Sequence, residues 1–283
     1  MLDERTDTAY GPLAGGSLRV LTWNLWWRHG PWEARLPAIA ATVTALAPDV
    51  CCFQEVWLDQ RTGDSLAGRV AAALGEGASW VETERLVLDG VVFGNAVVAG
   101  WPITGSAVLD LPVPSPTVEE LRSCIRADVA TPAGEVQVFS THLNWRFDES
   151  HVRQEQVRAI CEFVASSPGR TYPPVLCGDF NAVPDSDEIR MLTGRAAVPV
   201  ERLVFHDAWE VAGAAGDPGF TWSNGNPYAV LDLEPDRRID FVFVGWPKAG
   251  GRGHVETCTV VGTEPVDGVV PSDHYGVLAE LRI

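Results

Sequence analysis

Six short apolar runs in this chain each meet an acidic, amide or imidazole side chain at one end. Trp23-Asn24 closes the run 18–23, Gln54-Glu55 the run 50–54, and His142 the run 136–141. Asp179 and Asn181 follow the run 175–177, Asp240 lies within Arg237-Arg238-Ile239-Asp240-Phe241, and Asp273-His274 opens the last run, 275–281. Runs of this length, rich in β-branched and aromatic residues and bounded by Gly, Pro, Asn and Asp, read as strands. A sheet that bundles them would bring the polar ends into one cleft, the usual place for ligands in α/β folds.

The segments between the runs supply helices. Leu36, Ile39, Ala40, Val43, Leu46 and Ala47 recur at helical spacing until Pro48 stops them, so the chain opens β-α-β. Helical patterns follow at 65–74 and 149–165, and Ser186 is placed to cap a short helix ending at Leu192. Strands are expected at 80–88, 91–93 and 95–99, cut by Gly90, Gly94 and Pro102, and at 124–130 and 136–141 as a hairpin. Segment 111–117, with three prolines, reads as an irregular connection, and 239–244 and 257–261 as further strands. At 283 residues the chain fits one large domain. We expect a loose polar tail at 1–16 and one domain over 17–283, with no internal repeat.

Four carboxylates, Glu55, Asp179, Asp240 and Asp273, would share the cleft. Like charges a few ångströms apart raise one another's pKa and do not all stay ionised unless a positive charge joins them. Oxygen donors from Glu, Asp and Asn, without a Cys or His zinc set, suit a hard ion such as Mg2+ or Mn2+.

In this order the residues resemble the endonuclease/exonuclease/phosphatase superfamily. The resemblance rests on Thr22-Trp23-Asn24, Gln54-Glu55-Val56, Gly94-Asn95-Ala96, Thr141-His142-Leu143, Gly178-Asp179-Phe180-Asn181, Arg238-Ile239-Asp240-Phe241 and Ser272-Asp273-His274. Each is short; their order along nearly the whole chain carries the likeness. It implies a four-layer α/β/β/α sandwich of two packed, mostly antiparallel sheets with outer helices. It also implies a metal-dependent phosphoesterase. Glu55 would be the main metal ligand, with Asn24 and Asp273 nearby. Asp179 would orient or deprotonate the attacking water, Asn181 would position it, and His274, bonded to Asp240, and His142 would contact the phosphoryl oxygens. Some relatives carry two Asp–His pairs; here only Asp240–His274 is evident, which leaves His142 without an assigned carboxylate.

Other residues keep two readings. Asn95 faces the cleft beside the phosphate or serves a turn at Gly94. Asp207 belongs to a recurring segment of the family or caps the helix that follows. Trp26 and Trp27, with Trp145, Arg146 and Phe147, follow strand ends and either rim the cleft, where they would stack on a base or cover an apolar leaving group, or pack in the core. Among Arg85, Arg122, Arg126, Arg153, Arg237 and Arg238, Arg238 is the best placed to meet a phosphate; its alternative is a neighbouring carboxylate.

Charge narrows the substrate. Twenty-one basic against 38 acidic residues give −17, a surface that repels polyanions at long range and disfavours duplex DNA or an anionic membrane. A phosphodiester is expected over a monoester, in a small or single-stranded nucleic acid or a phospholipid headgroup of the sphingomyelin kind; the opposing reading is a phosphoester-binding module without catalysis. No run suits a membrane span or a signal peptide, and the six cysteines, without a C-x-x-C pair, read as buried thiols. We therefore expect a cytoplasmic monomer with no stable protein partner.

Overall fold

Side chains that alternate along each strand set the layers. Val20 and Cys52 enter one apolar cluster, while their chain neighbours Leu21 and Cys51 enter a second. Val138, Cys177 and Val242 share the first cluster, while Phe139, Leu176 and Phe243 fill a third. These strands are buried on both faces, which is why they read as continuous apolar runs. Three apolar layers separate helix, sheet, sheet and helix, so the chain forms the expected four-layer sandwich.

The computed structural model describes residues 9–83, 86–113, 121–168 and 171–283, and only the backbone of 86–88. In chain order the strands are β1 (Ser17–Asn24), β2 (Val50–Asp59), β3 (Ser79–Glu82), β4 (Leu86–Leu88), β5 (Val91–Ala99), β6 (Ile103–Asp110) and β7 (Ser123–Thr131). Then come β8 (Gly134–His142), β9 (Val175–Asp179), β10 (Phe205–Asp207), β11 (Asp240–Gly245), β12 (Val255–Val261) and β13 (Gly276–Arg282). One sheet runs β12-β13-β1-β2-β5-β3, with β4 also on β5; the other runs β10-β11-β9-β8-β7-β6. Within them β1–β2 and β8–β9 are parallel and the remaining pairs antiparallel.

Helices α1 (Trp32–Leu46) and α2 (Leu66–Leu74) cover the first sheet through Ile39, Val43, Leu66 and Val70. On the second sheet lie α3 (Ser150–Ser166) and α4 (Asp187–Leu192), through Val157, Ile160, Ile189 and Leu192. Short α5 (Ala208–Ala212) is capped by Asp207, whose carboxylate accepts from Trp209 N. Among the described residues no helix is long and apolar enough to cross a membrane.

Two expectations change. The break expected at Gly94 is absent, and β5 runs through it. A Cβ at residue 94 would stand 2.6 Å from the Thr83 carbonyl oxygen, so the glycine admits a neighbouring backbone instead of turning the chain. Of the tail expected at 1–16, residues 1–8 lie outside the described residues. The described remainder is tied down, with Ala14 N donating to Gly250 O and Gly250 N to Tyr10 O. Arg85 and part of the connection at 111–117 also fall outside the described residues.

Gly178 holds the two strands that carry His142 and Asp179. Its φ is 155°, and a Cβ there would lie 2.0 Å from Thr141 O on the paired strand. Gly178→Ala is expected to lower unfolding free energy by roughly 1–3 kcal/mol or more. Urea denaturation measures this, and an unchanged midpoint would show that β8 and β9 tolerate separation.

Candidate active site

Strand register assembles the site before any side chain is considered. In the second sheet His142 is the Cα partner of Asp179, and Asp179 is the partner of Asp240, so β8, β9 and β11 set three polar groups in a row. In the first sheet Asn24 ends β1 opposite Gln54, and Asp273-His274 precede β13, the antiparallel neighbour of β1. Side-chain bonds fasten the row: Trp23 Nε1 donates to His274 O, and Ser272 Oγ donates to Asn24 O. A cavity of about 540 Å3 opens over them, lined in part by Glu55, His142, Asp179, Asn181, Asp273 and His274.

Glu55 reaches the cavity through an irregularity. Phe53 pairs with Ala96 and Val56 with Gly94, so Gln54 and Glu55 of β2 stand opposite Asn95 alone. This is a β-bulge, with Glu55 at φ 54°, a left-handed conformation uncommon for a non-glycine residue. In a regular strand Glu55 would share the face of Phe53, against the helices. The extra residue turns it to the cleft and returns Val56 and Trp57 to the helix side. Gln54, fully buried between the sheets, donates from Nε2 to Ser140 Oγ of the opposite sheet.

Asp179 is the hub. Its Oδ1 accepts from Asn181 N at 2.9 Å, and its Oδ2 accepts from Asn24 Nδ2 at 3.0 Å. The same Oδ2 lies 3.5 Å from His142 Nε2 and 3.7 Å from His274 Nε2. Burial pushes its pKa up, but His274 and His142, with the Asn24 and Asn181 hydrogen bonds, outweigh burial and hold Asp179 below the usual carboxylate range.

The two imidazoles differ. Burial alone would lower His274, yet Asp240, whose Oδ2 is 2.9 Å from Nδ1, and Asp179 raise it to about 10. It is therefore an imidazolium at neutral pH. His142 moves the other way, to about 3, through burial and the Arg122 guanidinium 3.0 Å from Nδ1. A guanidinium can only donate, so Nδ1 accepts and the neutral ring carries its proton on Nε2, toward Asp179. The partner at Nδ1 of His142 is thus a cation, and the carboxylate its Nε2 faces is Asp179.

Which donors suit a metal follows from these bonds. Asp179, Asp240 and His274 present ligand atoms within 4.8 Å of one another. In that trio, however, Asp240 already accepts the Nδ1 proton and a protonated imidazole has no lone pair to give. Glu55 and Asp273 form a better pair for a hard cation, because both are oxygen donors lining the cavity. Asp273 is raised to about 7 by burial and by the Glu55 charge, with His274 and Arg35 opposing, which marks negative charge in excess at that wall. The residues fit a divalent ion.

Several expected site residues stand elsewhere. Asn24 turns its amide N–H groups to Glu55 Oε1 and Asp179 Oδ2, because its oxygen accepts from Trp26 N; it bridges the two carboxylates instead of presenting oxygen as a ligand. Asn95 is buried beneath the floor, donating to Ser123 O, in a small hollow beside the cleft. Arg238 is buried against Asp207, 2.7 Å away, and covers Phe241; it does not reach the cavity. Its neighbour Arg237 does, paired with Glu234 and set over Phe147. Trp26 and Trp145 line the cavity. Trp27 donates to Val92 O and packs on the helix side.

The sequence reading missed Trp222, Phe93, His29, Asp232 and Glu234 as cavity walls. Trp222 stands edge-on to His274 at 4.9 Å, and the Thr221 hydroxyl accepts from Ile239 N and Asp240 N. Nothing at 220–222 signals this except a tryptophan, whose default place is the core. Nothing in the sequence separates Arg122 from the other five candidate arginines.

Sandwich, register and site together define a phosphoesterase of the endonuclease/exonuclease/phosphatase kind. Residues 21–274 match the Endonuclease/Exonuclease/phosphatase family, and the chain belongs to it. Over 175 residues it is 26% identical to Tyrosyl-DNA phosphodiesterase 2 of Mus musculus, a match covering 60% of this chain and 44% of that protein. The chain thus spans less than half the length of that relative. Among solved structures, an endonuclease/exonuclease/phosphatase from Beutenbergia cavernae is 28% identical with TM-score 0.67, over 94% of this chain and 72% of that one. D. rerio TDP2 complexed with single-strand DNA product shares the fold, with TM-score 0.73 and 18% identity, over 95% of this chain and 100% of that one.

A depressed His142 pKa makes the unfolded chain the stronger proton acceptor, so this group's stabilising effect is lost as pH falls from 6.5 toward 3. By NMR, the His142 ring is expected not to titrate between pH 5 and 8. In Arg122→Met its midpoint is expected to rise. An ordinary titration in the wild type would refute the Arg122 contact.

Proposed function

We propose that the chain is a divalent-cation-dependent phosphodiesterase acting on a small or single-stranded nucleic-acid diester whose leaving group is aromatic or apolar. One observation carries this: Glu55 and Asp273 face Asp179, Asn181 and two oppositely tuned imidazoles across a single open cavity. A Mg2+ or Mn2+ ion held by Glu55 and Asp273 would supply positive charge to the non-bridging phosphoryl oxygens.

The chain's own groups divide the remaining work. Asp179, ionised and fixed by Asn24 and Asn181, orients the attacking water and takes its proton. His274, locked by Asp240, offers a charged N–H from Nε2 to the phosphoryl group, and His142 offers a neutral one. Trp26, Phe93, Trp145 and Trp222 give flat apolar walls for a base or an aryl leaving group. Asp232 and Glu234 in the same wall, and the net charge of −17, oppose a long polyanion. The likeness to a tyrosyl-DNA phosphodiesterase and to a protein crystallised with single-strand DNA product supports this choice.

A phospholipid headgroup ester is the second reading. Exposed Leu231 and Leu233, at 75% and 88%, flank Asp232, and exposed Phe147 lies under Arg237, so the mouth of the cavity carries apolar side chains.

Hydrolysis of bis(p-nitrophenyl) phosphate is expected to require Mg2+ or Mn2+ and to fall by roughly 10²–10⁴ in kcat for Asp179→Ala and for His274→Ala. A panel of single-stranded DNA, duplex DNA with and without an abasic site, RNA, sphingomyelin and inositol phosphates decides the substrate. Single strands are expected to be cut faster than intact duplex, whose cleavage weakens further as salt rises. Metal binding without turnover of any ester would leave a phosphoester-binding module.

A further inference from the structure

Arg35, on α1, is 1% exposed and forms no ion pair with a carboxylate among the described residues; both Nη groups of its guanidinium bond to backbone oxygens. Nη1 donates to Leu25 O and Pro271 O, each at 2.9 Å. Nη2 donates to Trp26 O at 2.9 Å and to Trp27 O and His29 O at 3.0 Å. Four of these carbonyls follow Asn24 at the end of β1, and the fifth lies two residues before Asp273. Trp26 and Trp27 adopt φ of 55° and 34°, consecutive left-handed residues without glycine, and the Arg35 guanidinium stacks over the Trp26 ring.

Such a conformation is strained for residues with a Cβ and persists only where its surroundings hold it. A fork of fixed N–H directions can meet several carbonyls at once, which an ammonium of similar charge cannot do with the same geometry. Further bonds extend the clamp to Glu55: Leu25 N donates to Gln54 O and Trp27 N to Glu55 O. One buried cation therefore ties three segments, the one after β1 that carries the bridging Asn24, the β2 bulge with Glu55 and the one before β13 with Asp273.

We propose that Arg35 is a positioning residue that preassembles the metal centre, holding the segments of Asn24, Glu55 and Asp273 in place before a cation arrives. The inference rests on the metal site of the proposed function. Its test does not require turnover, so failure of the clamp and failure of the enzymatic reading are separable.

Hydrogen exchange on the wild-type chain, with and without Mg2+, is the first arm. Peptides covering 24–29 and 271–275 are expected to exchange no more than about threefold faster without the cation. Calorimetric titration with Mg2+ is the second arm. Arg35→Lys is expected to weaken the dissociation constant by about tenfold or more, within the range for groups that orient metal ligands. In metal-free Arg35→Lys both peptides lose protection.

Arg19→Lys serves as the control. Arg19 donates to Leu46 O at the far end of β1, so its substitution tests replacement of a half-buried, carbonyl-bonded guanidinium without touching the clamp, and metal affinity is expected to stay at the wild-type value. Protection of the two wild-type segments only after Mg2+ is added would overturn the proposal. So would a folded Arg35→Lys with unchanged Mg2+ affinity. Should Arg35→Lys fail to fold, the wild-type exchange comparison decides alone.

Discussion

Carboxylates brought out of water beside one another govern this architecture. Glu55, Asp179, Asp240 and Asp273 meet at one end of the sandwich, where mutual repulsion and desolvation both favour protonation. The chain offsets part of that cost within itself. Asp240 and Asp179 share an imidazolium, Asp179 gains the Asn24 amide and the Asn181 N–H, and the Arg35 guanidinium adds positive charge behind Asp273. Compensation is least complete at Glu55 and Asp273, which is where the proposed cation would be held.

The two histidines show how one residue type is driven to opposite states within a few ångströms. His274 has carboxylates around it and retains its proton; His142 has a guanidinium at Nδ1 and does not. Both present an N–H from Nε2 toward Asp179, one charged and one neutral. Under the proposed reading a phosphoryl group would meet two N–H donors without both rings adding charge to a buried site.

Much of this was legible in the chain itself. Apolar runs buried on both faces mark strands, and polar residues at their ends mark the cleft, because few other places in a fold tolerate them. Helices at 65–74 and 149–165 emerged as Leu66–Leu74 and Ser150–Ser166, since their apolar spacing matches one buried face. Less legible were contacts decided by three-dimensional neighbours. Arg238 and Arg237 are adjacent, and only the packing of Asp207 beside β11 tells which one faces inward. Gly94 looked like a turn because a glycine that admits a neighbouring carbonyl and one that bends the chain have the same letter. Arg35 shares the buried face of α1 with Ile39 and Val43, where a charged residue is not expected, and the backbone carbonyls that hold it leave no trace in sequence.

The bulge in β2 places the main candidate ligand by residue count instead of by side-chain chemistry. Gln54 and Glu55 occupy the room of one residue opposite Asn95, which lets Phe53, Val56 and Trp57 keep their places in the apolar layer while Glu55 leaves it. Position and identity at this site are therefore inherited separately. Point substitution can change what the group at 55 is, but only a change in strand length can alter where it points.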